Sequence, residues 1–596
     1  MKGAGRLKKL GKYSLAFMLL FSIVNFTGIT ANAGENHGNS INKAKSRWVE
    51  TKLKRMSLEE KVGQLFIVYA NGKTPDDPAD AEANMEADRG GANFKEIIKK
   101  YHIGGVIYFN WSDNIGTPAD TAQVQQLSNG LQKIALKQRP GIPLFISTDQ
   151  EGGVVARVTE PAAVFPGNMA LGAARSAAYA RQSAQIMGTE LKSLGINMDF
   201  APDLDVNVNP ENPVIGVRSY SENPDLVATL GTAQIAGFQS EDVIATGKHF
   251  PGHGDTDVDS HYGLPIVNHD LNTLNEVDLK PFKAAIRSGV DAIMTAHIVV
   301  PALDDSGLPA TLSKKIMTGL LREKLGYNGL IITDSLDMSG ANVLPAGQVA
   351  VAAFEAGADI LLNPPDVDVA YQSVLKAVKE GKISRKRLDE SVARILGVKY
   401  ERGIVRHPFT KKQALRNIGT AEHLAAADKI AEKSLTLVKN SNNILPLQKQ
   451  QNILVAGPSA ANTDRLAALL AEKSFKASSY ATAISPTQEQ MKDAAEKAKT
   501  ADVIVVPAYN VNTNKALQAF LKALKTAGKP VVMVSVRNPY DIMGAPEADA
   551  NLLTYGNRDA STKAAAKALA GEINPGGHLP VSIPGHYPFG YGLKYQ

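Results

Sequence analysis

Cysteine is absent from the 596 residues, so the chain forms no disulfide and carries no Cys-linked lipid anchor. In an oxidising space such a chain must be held by its core alone, which this length allows. The apolar run Leu15 to Val24 is cut off by Asn25 and is too short to span a bilayer, which needs about 20 residues. Repeats and low-complexity tracts are lacking as well. A lasting surplus of positive charge is also missing. The formal charge is +6, but Lys2, Arg6, Lys8, Lys9 and Lys12 all precede the apolar run, and removing those five cations leaves +1. The basicity belongs to the first 33 residues, and nothing in the remainder argues for nucleic-acid binding.

What is present at the start is a basic stretch, an apolar run and Ala31-Asn32-Ala33, the order of a secretory signal peptide. Residues 1–33 are therefore expected to be cleaved after Ala33. The mature protein is then expected outside the cytoplasmic membrane, secreted or cell-wall associated, with no stable membrane insertion. Residues 34–46 are polar and expected to be flexible.

The greatest concentration of titratable groups is Gly247-Lys248-His249-Phe250-Pro251-Gly252-His253-Gly254-Asp255-Thr256-Asp257-Val258-Asp259-Ser260-His261. An apolar strand, Val243 to Thr246, runs into it, and Pro251, Gly252 and Gly254 keep it out of regular structure. An active-site loop on a rigid base is the reading. A calcium loop would need Gly where Ser260 stands and a bidentate Glu where Ile266 stands. Zinc held by His249, His253 and His261 matches no usual ligand spacing. A merely solvated acidic loop leaves Lys248 and three histidines unexplained.

Eight short apolar segments recur, each followed by polar or Gly-rich residues and then a helical pattern: Val62 to Tyr69, Gly105 to Phe109, Pro143 to Thr148, Met198 to Ala201, Val243 to Thr246, Ala292 to Thr295, Leu330 to Thr333 and Ile360 to Leu362. Eight strand–helix units predict a (β/α)8 TIM-type barrel over residues 47–405. The helical stretches carry apolar stripes suited to an outer ring: Val124, Leu127, Leu131 and Ile134 in Thr121 to Lys137, and Leu388, Val392, Ile395 and Val398 in Arg385 to Tyr400. Ser313 is placed to cap Lys314 to Leu325.

In such a barrel the chemistry sits on the loops after the strands. Asp149-Gln150-Glu151-Gly152-Gly153 follows strand three, Asp203 and Asp205 follow strand four, Lys248-His249 strand five, His297 strand six, and Asp334-Ser335 strand seven. One ring of acids and bases facing a pocket accounts for all of them, although any one alone would more often be a satisfied structural residue.

Residues 406–440 read as a linker and helical connection. Beyond them, Ile453 to Ala456, Val503 to Val506, Val531 to Val536 and Leu552 to Thr554 are buried-type strands between Ala/Lys-rich helices. They predict a smaller α/β sandwich over residues 441–596 with a mainly parallel sheet. Gly457-Pro458-Ser459 lacks the glycine spacing and lysine of a nucleotide loop.

These motifs together resemble those of glycoside hydrolase family 3 β-N-acetylglucosaminidases. The stretches that carry the resemblance are Lys248 to Gly254 with Asp259-Ser260-His261, Asp149 to Gly153, Val214-Ile215-Gly216-Val217-Arg218-Ser219, and Ile332-Thr333-Asp334. The resemblance covers residues 50–405, and the remainder is similar to the second domain of two-domain, Gram-positive-type members. It implies Asp334 as nucleophile of a retaining reaction, His261 as acid/base and Asp259 as its partner. It further implies that Asp149, Arg157, Arg218, Lys248 and His249 hold the terminal N-acetylglucosamine, with neither cofactor nor metal. One departure stands out: Val154 occupies the first Arg of the family's Glu-Gly-Gly-Arg pattern, leaving Arg157 to do that work.

Elementary chemistry is consistent with those roles. A retaining glycosidase normally uses two carboxyl groups. Here an imidazole would replace one, and an Asp two residues away favours its protonated form and fixes its orientation. The implied substrate is a small carbohydrate, N-acetylglucosamine β-linked to N-acetylmuramic acid in cell-wall fragments, with or without peptide. A β-glucosidase or xylosidase of the same superfamily, a β-N-acetylglucosaminide phosphorylase, and a non-catalytic wall-binding protein are the rival readings.

Overall fold

The structure is a computed structural model that describes residues 42–345 and 347–595. The expected signal peptide lies outside the described residues. Residues 42–48 are helical, so the polar segment expected to be flexible is ordered from residue 42 onward. The compact body runs from Val49 to the C-terminus. Among the described residues no helix is long and apolar enough to cross a membrane.

Eight parallel strands form the first sheet: β1 Phe66–Val68, β2 Gly105–Ile107, β3 Phe145–Thr148, β4 Met198–Asp199, β5 Ile244–Phe250, β6 Ala292–Thr295, β7 Leu330–Ile332 and β8 Leu361–Leu362. They pair in the order β8-β1-β2-β3-β4-β5-β6-β7, and a parallel bridge between Ile332 and Ile360 joins the last to the first. The expected (β/α)8 barrel is the observed one. Every residue of these strands is buried, as strands sandwiched between barrel interior and helices must be. Two boundaries differ from expectation: β5 runs on through Gly247, Lys248 and His249 to Phe250, residues read as loop, and the first apolar run is split. Val62 and Gly63 close a helix, Leu58–Gly63, opened by a capping box between Ser57 and Glu60. That cap binds the first turn's free N–H groups, so the apolar run is divided between helix and strand.

The outer helices follow the apolar stripes. Thr121–Lys137 begins at Asp120, which accepts from the Gln123 amide, and buries Val124, Leu127 and Leu131. Arg385–Glu401 begins at Ser384 and buries Leu388, Val392 and Ile395. Ser313 Oγ accepts from the Ile316 amide at 3.2 Å, a cap worth about 1 kcal/mol.

The second sheet has six strands: β9 Thr436–Asn440, β10 Asn452–Pro458, β11 Lys476–Thr482, β12 Val503–Ala508, β13 Val531–Ser535 and β14 Ala550–Leu553. Their order is β9-β14-β13-β12-β10-β11, parallel throughout except that β9 runs antiparallel to β14. The two edge strands were not expected. β9 ends the segment read as linker and helix, and β11, Lys-Ala-Ser-Ser-Tyr-Ala-Thr, is largely solvent-facing, so it has no apolar run to reveal it. Gly457 and Pro458 lie inside β10, and no glycine-rich phosphate loop forms there.

The two domains share a seam. The second domain's apolar core takes in Met169, Ala170, Ala173 and Val217 from the barrel. Asn207 Nδ2 donates to the Tyr540 hydroxyl at 3.1 Å. Near the C-terminus, Ser582 donates twice to the Glu222 carboxylate, from its amide and its hydroxyl, each at 2.7 Å.

Candidate active site

Residues at or just beyond the C-terminal ends of all eight barrel strands line one pocket of about 330 Å³, within the range of small-molecule sites. Asp149, Arg157, Arg218, Lys248, His249, His261 and Asp334 all face it. Asp259 stands behind His261, its Oδ1 2.7 Å from the ring Nδ1.

The floor is a chain of charges in which Glu151 and Lys248 are buried and Asp149, Arg157 and Arg218 are partly exposed. Lys248 Nζ donates to Asp149 Oδ1 at 3.0 Å and lies 2.8 Å from Glu151 Oε1. Arg218 meets Glu151 through two bonds, Nε to Oε2 at 3.0 Å and Nη2 to Oε1 at 2.8 Å, the planar pairing that suits guanidinium and carboxylate. Arg157 Nη2 lies 3.8 Å from Asp149 Oδ2. Burial opposes ionisation of Glu151, but Arg218 and Lys248 outweigh it and hold the carboxyl far below the usual range. Asp149 behaves likewise: burial raises it, and Lys248 with Arg157 bring it below its ordinary value. Lys248 is pushed up, since Glu151 and Asp149 more than offset its desolvation. At neutral pH Asp149, Glu151, Arg218 and Lys248 are therefore ionised, presenting fixed donors and acceptors to a polyhydroxyl ligand.

A second layer orients this floor. Asp205 Oδ2 lies 2.7 Å from His249 Nδ1, and its Oδ1 accepts from the amides of His249 at 3.3 Å and His253 at 2.6 Å. These bonds fold the Lys248 to Gly254 segment over Asp205. Gly254 is required there, because a Cβ would stand 1.8 Å from the Val206 carbonyl oxygen. Burial, then Arg218 and Lys248, push the His249 imidazole down to about 3, so the ring is neutral. With Nδ1–H on Asp205, its Nε2 accepts from Arg218 Nη2 at 3.3 Å. Burial lifts Asp205 to about 7, and burial with the Asp205 charge raises Asp203 well above its ordinary value.

Asp334 follows β7. Its Oδ1 accepts from the Ser335 amide at 2.7 Å. Burial raises this carboxyl, but His249, His297, the Ser335 amide and Lys248 together hold it below its ordinary value. With His249 neutral, the formal charge among these neighbours is that of Lys248. An ionised carboxylate at the pocket wall is the state a nucleophile needs. His297 is not free to act. Its Nδ1 meets Thr311 Oγ1 at 2.8 Å and its Nε2 donates to the Ser335 carbonyl at 3.0 Å, which fixes the backbone next to Asp334.

His261 sits on the open side, its side chain 54% exposed. The loop that carries it is tied down by Gly340, whose amide donates to the Ser260 carbonyl at 3.0 Å, and by His253 Nε2 at 2.9 Å from Ser260 Oγ.

The metal readings find no support in the donors. His253 spends both ring nitrogens on Thr256 and Ser260, and His261 Nδ1 is turned to Asp259, so the three histidines do not converge. Asp255 lies 2.9 Å from His269 Nε2, so the alternating aspartates serve different partners. Among the described residues, Asp203, Asp205 and His249 alone bring three ligand atoms within 4.8 Å. Arg218 Nε lies 3.9 Å from Asp203 Oδ2, and that charge disfavours a cation where a proton on the carboxyl pair suffices.

Sequence reasoning missed three features. Glu151 is the hub of the ionic floor, and Asp337, three residues after Asp334, also lines the pocket. At the mouth, Trp111 stacks on Phe109 with ring centroids 4.5 Å apart and meets Tyr69 edge-on at 5.1 Å, yet is 59% exposed. A lone Trp in a loop gives no signal of that position.

Comparison with known proteins agrees with this architecture. Residues 57–398 match the glycosyl hydrolase family 3 N-terminal domain and residues 435–595 its C-terminal domain. Beta-hexosaminidase A of Pseudoalteromonas piscicida is 36% identical over 553 residues, covering 82% of this chain and 90% of that protein. A Cellulomonas fimi protein described as beta-N-acetylglucosaminidase/beta-glucosidase is 27% identical, covering 90% of this chain and 95% of its own. The solved structure of a family 3 beta-N-acetylglucosaminidase from Paenibacillus sp. str. FPU-7 superposes with a TM-score of 0.81 at 38% identity, covering 89% of this chain and 99% of that one. With both domain models matched in order and a barrel that gathers the motif residues into one pocket, the chain belongs to glycoside hydrolase family 3.

Proposed function

We propose that this enzyme is an exo-acting, retaining β-N-acetylglucosaminidase that releases terminal N-acetylglucosamine from cell-wall fragments, after export and removal of its leader. The observation that carries the reading is the pairing within one pocket of an ionised carboxylate, Asp334, with an imidazole oriented by its own aspartate, His261 and Asp259. Asp334 attacks the anomeric carbon and the C–O bond to the leaving sugar breaks. His261 gives its proton to the departing oxygen, and the glycosyl ester on Asp334 remains. Water then attacks the anomeric carbon, His261 takes a proton from it, and Asp334 leaves with the configuration restored. The ionic floor holds the terminal sugar's hydroxyls, and a wrong sugar would leave buried charges unpaired there.

The test is the leaving-group dependence of His261→Ala. Cleavage of a natural disaccharide, whose departing alcohol needs protonation, should fall roughly 10²- to 10⁴-fold. An aryl substrate with an acidic phenol should still glycosylate Asp334, releasing the phenolate, and give a burst and then slow turnover with a lowered KM. Azide, needing no base, should restore turnover as β-glycosyl azide. Equal slowing of all substrates, without azide rescue, would reduce His261 to a binding residue. Running the wild type on aryl β-glucoside and in phosphate buffer separates glucosidase and phosphorylase activities from this one.

A further inference from the structure

We infer that the second domain sets the geometry of the sugar-holding floor through two positioning residues, Asn538 and Arg558; this rests on the proposed reading of that floor. Two barrel segments build the floor, one carrying Asp149, Glu151 and Arg157 and the other Arg218. They are joined to each other by the Arg218–Glu151 pair. Each is also fastened to the second domain at a residue beside or between its functional charges.

On the Arg218 segment, Asn538, just beyond β13, accepts from the Val217 amide through Oδ1 at 3.2 Å. The Val217 side chain is inserted into the second domain's apolar core. One residue on, Arg218 turns into the pocket. The fit around Asn538 is close: a Cβ on Gly216, whose φ is +44°, would stand 2.6 Å from Asn538 Oδ1. On the other segment, Arg558 Nε donates to the Gly153 carbonyl at 2.6 Å, two residues from Glu151. Val154 packs against the same apolar core. That contact gives a physical role to the valine at the departure from the family's arginine pattern: an apolar anchor between Glu151 and Arg157.

The arrangement matters because Glu151 is buried and Arg218 is locked to it by two bonds, so neither can relax freely toward a sugar that is misplaced. A shift of either segment moves both partners. Displacements of about 1 Å from a catalytic geometry cost on the order of 10²-fold in rate. Neither Asn538 nor Arg558 lines the pocket, so each acts through backbone and not through contact with substrate.

The experiment measures, for the full-length enzyme, the Ki of a monosaccharide-sized N-acetylglucosamine lactone oxime and kcat/KM on an aryl N-acetylglucosaminide, with the melting temperature alongside. Asn538→Leu keeps the size and removes the acceptor, and should weaken Ki about 10-fold or more and lower kcat/KM about 10- to 100-fold. Asn538→Asp keeps the acceptor and should stay within about threefold of wild type. Arg558→Met against Arg558→Lys repeats the comparison on the other segment and stands in if Asn538→Leu fails to fold. Loss of melting temperature with Ki unchanged would make these residues merely structural and overturn the inference, as would equal behaviour of Asn538→Leu and Asn538→Asp. A wild type that neither binds the oxime nor cleaves the N-acetylglucosaminide would instead overturn the proposed function on which the inference rests.

Discussion

Replacing Lys248 by methionine removes one cation from between a buried acid, Glu151, and a partly buried one, Asp149. Its Nζ lies 3.0 Å from Asp149 and 2.8 Å from Glu151, and its side chain is 2% exposed. At an effective dielectric near 20, each contact is worth roughly 6 kcal/mol of Coulomb attraction before desolvation is subtracted. Breaking a buried pair on one side costs about 3–5 kcal/mol. The loss falls unevenly. Glu151 keeps two bonds from Arg218, whereas Asp149 keeps only Arg157, at 3.8 Å. The sign with pH follows. In the wild type Asp149 is held below its unfolded value, so it contributes stability above that value and loses it as pH falls through the folded one. In Lys248→Met burial prevails and the carboxyl rises above its unfolded value, so its ionisation costs stability as pH rises through the new value. The deficit against wild type should therefore be large at pH 8 and smaller at pH 5. Scanning calorimetry at both values reads it, and Lys248→Met/Asp149→Asn should recover most of the pH 8 loss. A deficit equal at both values, or additive losses in the double variant, would refute the electrostatic account. Activity is expected to be lost in both variants.

Three further outcomes are expected. Asp334→Asn should abolish turnover, and a 2-fluoro sugar with a good leaving group should label Asp334, as read by peptide mapping; an inverted product anomer would contradict the retaining reaction. His249 and His253, both pushed down to about 3 by burial, should show no imidazole titration in NMR spectra between pH 5 and 8. Each then subtracts stability as pH falls from 6.5 toward 3, where only the unfolded chain takes up the proton; a midpoint near 6.5 would overturn the neutral assignment. N-terminal sequencing of exported protein should begin near Gly34, and an intact Met1 on membrane-bound protein would show an anchor instead.

The barrel was legible because each strand is buried on both faces and therefore appears as an apolar run, and because its helices carry stripes such as Val124, Leu127 and Leu131. Edge strands obey no such rule: β11 exposes Lys476, Ser478 and Ser479 and reads as loop. The pocket residues were legible where they follow strands, since topology alone brings strand ends together. Glu151 was visible as an acid, but not as the hub between Arg218 and Lys248, because pairing depends on where two loops meet. Asn538 and Arg558 were illegible for the same reason. Nothing in a sequence states which second-domain loops face which barrel loops.

The seam has a consequence for the order in which a working molecule comes into being. A ribosome makes residues 57–398 first, and that stretch contains every group facing the pocket. Yet the Arg218 segment gains its Asn538 contact only once that residue has been made, and the backbone just after it gains the Ser582–Glu222 pair later still. On the inferred role of the seam, a chain ending before Asn538 would hold every pocket group but lack this alignment, and its kcat/KM should fall below that of the full chain without being abolished.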